Sequence, residues 1–174
     1  MRPWLFAAVL GLLAPVTSEA IEVPPVAQAE SEEEDSPSGG MPVPPETERK
    51  VRDFLDRFVE VGKTPEELAA LFTSRVEYYE HGYVNRDDIV RDVERYVKQW
   101  PQRRYEVTSV DIITADPESD RIFVGYTVDF EVAQGGRTER GKASYGAIIT
   151  GIDSNPQVES IKEKAQARSS GSNE

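Results

Sequence analysis

The chain has 174 residues, 38% of them hydrophobic, which suffices for one core of ordinary domain size and not for two full domains. It has no cysteine and one histidine, so disulfides, thiol chemistry and a zinc centre built on sulfur and imidazole are excluded, and no metal or cofactor is expected. The net charge of −12 repels a phosphate backbone, which argues against nucleic acid as a partner.

Residues 1–20 read as a secretory signal: Arg2 gives the positive start, 4–13 the apolar run, and Ser18-Glu19-Ala20 the small-x-small cleavage pattern. The run is shorter than the roughly 20 residues of a membrane span, so the expectation is an exported chain, periplasmic or secreted, with no stable membrane insertion after cleavage. Residues 21–45 form an acidic, proline-rich stretch ending in PSGGMPVPP, read as a disordered linker. Glu22, Glu30, Glu32, Glu33, Glu34, Asp35 and Glu46 all lie in residues 21–46, which hold no basic residue. Setting these seven and Glu19 apart from the 32 acidic side chains, and Arg2 from the 20 basic ones, leaves 24 and 19, so the folded part carries about −5. A domain is expected over 46–166, and a disordered tail over 167–174.

Within the domain, Val51, Phe54, Leu55 and Phe58 recur at helical spacing, predicting a first helix that ends at Gly62. Thr64-Pro65-Glu66-Glu67 is a capping box with proline at the first helical position, and Leu68, Leu71 and Phe72 follow as a second, shorter helix. A short strand over 76–79 is interrupted at His81-Gly82 and resumes at Tyr83-Val84. Asn85 then caps a third helix, with Asp87 and Asp88 against the positive end of its dipole, and Ile89, Val93, Tyr96, Val97 and Trp100 on one face before Pro101 stops it.

The remainder is strand-like: 105–114, then Ile122, Val124, Tyr126, Val128, Phe130 and Val132 in strict alternation, a hairpin turn at 134–137, a returning strand over 140–150, and a last strand over 158–164. Asp116, Glu118 and Asp120, interrupted by Pro117, read as a turn and lack the pattern of a calcium loop. Helices followed by strands make an α+β domain with an antiparallel sheet.

This order of elements over about 48–164, with the wording YYEHGYVNRDDIVRDVERYVKQWPQRRY, resembles the NTF2-like superfamily and its SnoaL-like and ketosteroid-isomerase-like domains, in particular an exported bacterial subset of undefined activity. The resemblance implies a cystatin-like cone, three N-terminal helices closing one side of a curved antiparallel sheet. It selects no chemistry, because the scaffold serves isomerases, dehydratases, hydrolases and pure binding modules.

The resemblance also implies that a carboxylate base and a tyrosine-containing oxyanion hole would sit inside the cone of an enzyme. Asp92, on the edge of the apolar face between Ile89 and Tyr96, is the candidate base, or a structural residue partnered by Arg104 or Tyr79. Tyr79 and Tyr126 are the candidate donors, and His81 is an alternative acid or base. Tyr79, Tyr96, Trp100 and Tyr126 are the candidate ligand-pocket residues, and Arg104 the candidate anion contact. Thr127, Asp129 and Glu131 alternate onto the opposite sheet face, through which a homodimer is implied. The expectation is an exported, non-enzymatic module holding a small apolar or amphipathic ligand or a protein partner. The alternative is an isomerase- or dehydratase-like enzyme using a pocket carboxylate and tyrosine.

Overall fold

A computed structural model describes residues 40–164. The expected signal peptide, linker residues 21–39 and the tail from 167 onward lie outside the described residues.

Among the described residues, three α-helices lie on one face of a seven-stranded sheet: α1 (Pro45–Val59), α2 (Pro65–Ala69), α3 (Arg86–Gln99), and strands β1 (Met41–Pro42), β2 (Phe72–Tyr78), β3 (Tyr83–Asn85), β4 (Gln102–Ala115), β5 (Ile122–Gln134), β6 (Arg137–Thr150) and β7 (Gln157–Lys164). The strand order is β1-β4-β5-β6-β7-β2-β3. The antiparallel expectation needs one correction: β2 runs parallel to β7, because it precedes α3 and the long meander and meets that meander's last strand from the far side. The linker boundary also shifts. Met41 and Pro42 pair with Ala115 and Thr114 at the sheet edge, where a proline costs no ladder bond, and α1 starts at Pro45, where a missing N–H is no loss.

The N-terminal ends of α2 and α3 follow the sequence closely. The Thr64 hydroxyl accepts from the Glu67 amide at 3.1 Å while the Glu67 carboxylate accepts from the Thr64 amide at 2.8 Å. Asn85 and Asp88 repeat this reciprocal arrangement at the start of α3, at 3.1 and 3.2 Å. Phe72, expected in the second helix, instead opens β2 and is fully buried, and Arg86 donates twice to its carbonyl. α1 stops at Val59, three residues before Gly62.

β4, β5 and β6 carry most of the sheet. β5 is in unbroken register with β6 from Ile122↔Ile149 to Gln134↔Arg137, and Gly135-Gly136, both at positive φ, supply the two-residue turn between them. β4 slips against β5 between Val107 and Ser109 and again between Val110 and Ile112. Such bulges bend and twist a strand, and here they curl the sheet around the apolar faces of α1 and α3. The core joins Val51, Phe54, Leu55 and Phe58 of α1 and Ile89, Val93 and Tyr96 of α3 to the inward residues of β5 and β6. The outer face carries cross-strand pairs, Asp129 with Lys142 at 2.9 Å and Glu131 with Arg140 at 3.0 Å.

The caps and the outer-face ion pairs can each be tested. Asn85→Ala removes an acceptor for the first turn of α3 and should lower stability by about 1 kcal/mol, read in urea unfolding as a lower midpoint with unchanged slope. On the outer face of β2, Glu77 accepts from Lys162 at 2.7 Å and from Ser160 at 2.9 Å, and the Lys162 hydrogen bond first, then Ser160, holds its carboxyl below the ordinary 4.5. A depressed carboxylate stabilises the fold above its unfolded pKa, and that contribution is lost as pH falls through the folded value. Glu77→Gln should therefore flatten the fall of melting temperature below about pH 4.5, and a curve parallel to wild type would refute the linkage.

Candidate functional site

Between the helices and the concave sheet lies a cavity of about 60 Å³. Tyr126 and Val128 of β5, Tyr145 of β6, and Tyr105 of β4 form its sheet wall; Val93, Tyr96 and Val97 of α3 and Phe58 and Val59 of α1 form its helical wall. Glu60, Lys63 and Arg103 also line it. This volume is well below the roughly 300–1,000 Å³ of a pocket that encloses a drug-sized ligand, so the cone admits a ring or a short chain and not a polycyclic molecule.

The phenols define its chemistry. The Tyr105 hydroxyl donates to the Tyr96 hydroxyl at 3.0 Å. Burial pushes the Tyr96 phenol up to about 12, against the opposing pull of Tyr105 and of the nearby Arg103 guanidinium. Burial likewise raises Tyr105, Tyr126 and Tyr145 well above the ordinary 10. All four are neutral donors at physiological pH. Arg103 donates to the Trp100 carbonyl at 2.7 Å, which anchors its guanidinium beside the Tyr96–Tyr105 pair. Lys63 is held to Glu60 at 2.8 Å, and that hydrogen bond lowers the Glu60 carboxyl.

Tyr79 reaches the cavity in an unusual way. It follows β2 at φ 50°, the left-handed region that a bulky residue enters at a cost of about 1–2 kcal/mol. Its ring is held edge-on by Tyr78 at 4.7 Å and Tyr145 at 6.3 Å between centroids. Packing thus fixes a conformation that the local sequence does not favour.

Of the predicted pocket residues, Tyr79, Tyr96 and Tyr126 line the cavity and Trp100 does not. Trp100 is buried beyond the end of α3, with the Arg137 guanidinium 5.3 Å from its ring centroid. Arg104 is also displaced: strand alternation puts it on the outer sheet face, 3.5 Å from Glu106, and its neighbour Arg103 is the arginine at the cavity. Asp92 is buried at 7% exposure but is not in the cavity wall. Its carboxylate accepts from the Tyr78 hydroxyl at 3.2 Å and from Arg95 at 3.1 Å, so its partners are Tyr78 and Arg95, not Tyr79 or Arg104. His81 lies in the 3-10 turn after β2, its ring parallel to Tyr78 at 6.5 Å. The Asp116 turn is closed by the Glu118 amide and Ser119 hydroxyl, and among the described residues no cluster of acidic or imidazole side chains could hold a metal.

Lys63 and Tyr145 were not read from the sequence as site residues. Tyr145 had a signal, since it shares parity with Ala143, Ala147 and Ile149 along β6 and faces Tyr126 in register. Lys63 had none, because its place depends on how the α1–α2 turn lies over the cone.

No protein-family model matches the chain, and no curated protein matches it significantly. Solved structures do match. The protein Aln2 from a Streptomyces species superposes with a TM-score of 0.61 at 14% identity, over 71% of this chain and 93% of that one. An NTF2-like superfamily protein from Salmonella enterica serovar Typhimurium gives 0.58 at 11% identity, over 74% and 98%. A cystatin-like domain of unknown function from Nostoc punctiforme gives 0.53 at 18% identity, over 73% and 82%. The helices, the curled sheet and these likenesses agree: the chain has the NTF2-like, cystatin-like fold.

Proposed function

We propose that the protein is an exported, non-enzymatic binding module whose cone takes the flat or short end of a small amphipathic molecule, with Arg103 reading an anionic group. The fold itself supports a ligand-binding or enzyme-like module. The observation that carries the narrower reading is the division of labour around Asp92. Neutral phenols line the cavity, the one carboxylate in its lining, Glu60, is held by Lys63, and the buried Asp92 is engaged by Tyr78 and Arg95 outside the cavity wall. A proton-abstracting enzyme needs its base within hydrogen-bonding reach of the substrate, and Asp92 is spent on structure. The guanidinium and the Tyr96 hydroxyl, which accepts from Tyr105, offer two donor groups in one corner, a match for a carboxylate oxygen.

The enzymatic alternative keeps one supporting observation: the Tyr96 hydroxyl, polarised by the hydrogen bond it accepts from Tyr105, would be the donor to a developing oxyanion, in place of Tyr79 or Tyr126. The readings separate on Asp92. The binding reading expects Asp92→Ala to cost about 1–3 kcal/mol of stability, since the Tyr78 hydroxyl loses its acceptor, and to leave ligand affinity unchanged. Turnover of any substrate that disappears in Asp92→Asn without a change in melting temperature would establish the enzyme instead.

The ligand probe is benzoate, a single flat ring bearing one carboxylate, in keeping with a cavity of about 60 Å³. Calorimetry should show one site per chain, and Arg103→Ala should weaken it by roughly tenfold to a hundredfold, the loss of a charge-assisted hydrogen bond. Equal affinity for benzyl alcohol would remove Arg103 from the reading, and no binding of either would remove the cone.

A further inference from the structure

Two carboxylates come together at the corner where β2 leaves the sheet. Tyr78 closes β2 opposite Ile161 of the parallel strand β7, and two residues further along each chain stand Glu80 and Glu163. Glu80 lies in the 3-10 turn Tyr79–His81, which packs on the end of β7. Glu163 is opposite Tyr145 in the β6–β7 ladder, so it shares the inner sheet face with that phenol. The lysines beside it on β7 point the other way: Lys162 pairs with Glu77 at 2.7 Å, and Lys164 lies along Gly125 and Gly146 on the outer face. On α3, Arg95 is held by Asp92, which also accepts from the Tyr78 hydroxyl. Among the described residues, no lysine or arginine pairs with Glu80 or Glu163.

The turn that carries Glu80 is strained. Tyr79 has φ 50° and Gly82 φ 71°, and the Tyr78 amide donates to the Gly82 carbonyl at 2.9 Å to close the loop. Glycine adopts such a φ at no steric cost, whereas Tyr79 does not and relies on the rings packed around it. Glu163 keeps contact with solvent, yet the neighbouring Tyr145 and Tyr79 rings displace part of its hydration. That burial first, and the Glu80 charge second, hold its carboxyl above the ordinary 4.5. A carboxyl raised on folding favours the fold below its unfolded pKa, and the contribution is lost as pH rises through the folded value, the opposite sign to Glu77.

We infer that Glu80 and Glu163 form an acid-sensitive clasp: while both are ionised their repulsion works against the Tyr79–His81 turn, and uptake of a proton by the pair closes the turn on β7. Because Tyr79 lines the cone, the same event stiffens one wall of that cavity. The groups facing the pair are Tyr79 and His81 from the turn, Tyr145 from β6 and, behind them, Tyr78 from β2 with Asp92 and Arg95 of α3. The three phenols are all raised by burial and stay neutral, so the change of charge belongs to the pair or to the His81 imidazole, and the experiment separates these. The clasp does not depend on what the cone holds.

The test is urea unfolding of the full chain, wild type against Glu80→Gln, Glu163→Gln and the double variant, at about pH 7 and about pH 4.5. At the higher pH each single variant should raise the folding equilibrium constant about two- to fivefold, and the double variant no further, because one neutral partner already removes the repulsion. The gain should diminish at the lower pH, and also in roughly 1 M sodium chloride, which screens charge and leaves packing alone. Hydrogen exchange locates the effect: at about pH 7 the Tyr78 amide, which closes the turn, should exchange about two- to fivefold more slowly in each variant. Additive gains in the double variant overturn the proposal, as does a gain that salt leaves unchanged or a Tyr78 amide that does not slow. Loss of the wild-type pH dependence in His81→Asn overturns it too, because the imidazole would then be the group that responds.

Discussion

The unbroken register between β5 and β6 is the constraint on which the rest of the molecule depends. From Ile122 to Gln134 the strand sends alternate side chains to opposite faces, and its partner does the same residue for residue. Ile122, Val124, Tyr126, Val128 and Val132 meet the helices, while Phe123, Thr127, Asp129 and Glu131 face outward. A slip of one residue would exchange the two sets, exposing the phenols and burying three polar side chains, so the register is held by burial as well as by the Gly135-Gly136 turn. β4 then adds curvature through its two bulges without disturbing this central pair.

Curvature makes the cone, and aromatic packing limits it. Tyr126 and Tyr145 meet at 5.4 Å, Tyr145 continues to Tyr79, and Tyr79 to Tyr78, a chain of rings that runs from the sheet centre to the middle of α3. At its end, Tyr78 donates to Asp92, and Arg95 closes the sequence at the surface. Removing the acceptor strands a buried hydroxyl, so this carboxylate contributes to stability through the tyrosine it satisfies. Burial and Asp92 both raise the Tyr78 phenol well above its ordinary value, which keeps the donor protonated across the physiological range.

Local rules made much of this legible. Both reciprocal caps, the Trp-Pro stop, the alternation of β5 and the glycine hairpin each name one conformation with a stated cause, and each element lies where its signal put it. The misses share a different origin. Phe72 is apolar at helical spacing from Leu68, yet a parallel ladder with β7 claims it, and that partner is 86 residues away at Val158. Trp100 lies at the end of an apolar stripe, but the stripe faces the cone only as far as Val97. For Arg103 and Arg104 the sequence offers two adjacent cations and no phase; the phase is set by pairing with Val132 and Glu131, which places one inside and one outside.

Glycine accounts for the least legible feature. Gly125 and Gly146 sit inside strongly alternating strands, where the residue weakens a strand and marks a bulge or a close approach. Neither is at a bulge in the β5–β6 ladder, and neither has positive φ, so backbone conformation does not require them. What they provide is absence of bulk on the outer face, at the same level at which Tyr126 and Tyr145 provide bulk on the inner one. A single strand pair can therefore hold a narrow phenolic cone on one side and an open groove on the other. Period-two alternation gives each surface its own residues, so either can be altered without repacking its opposite.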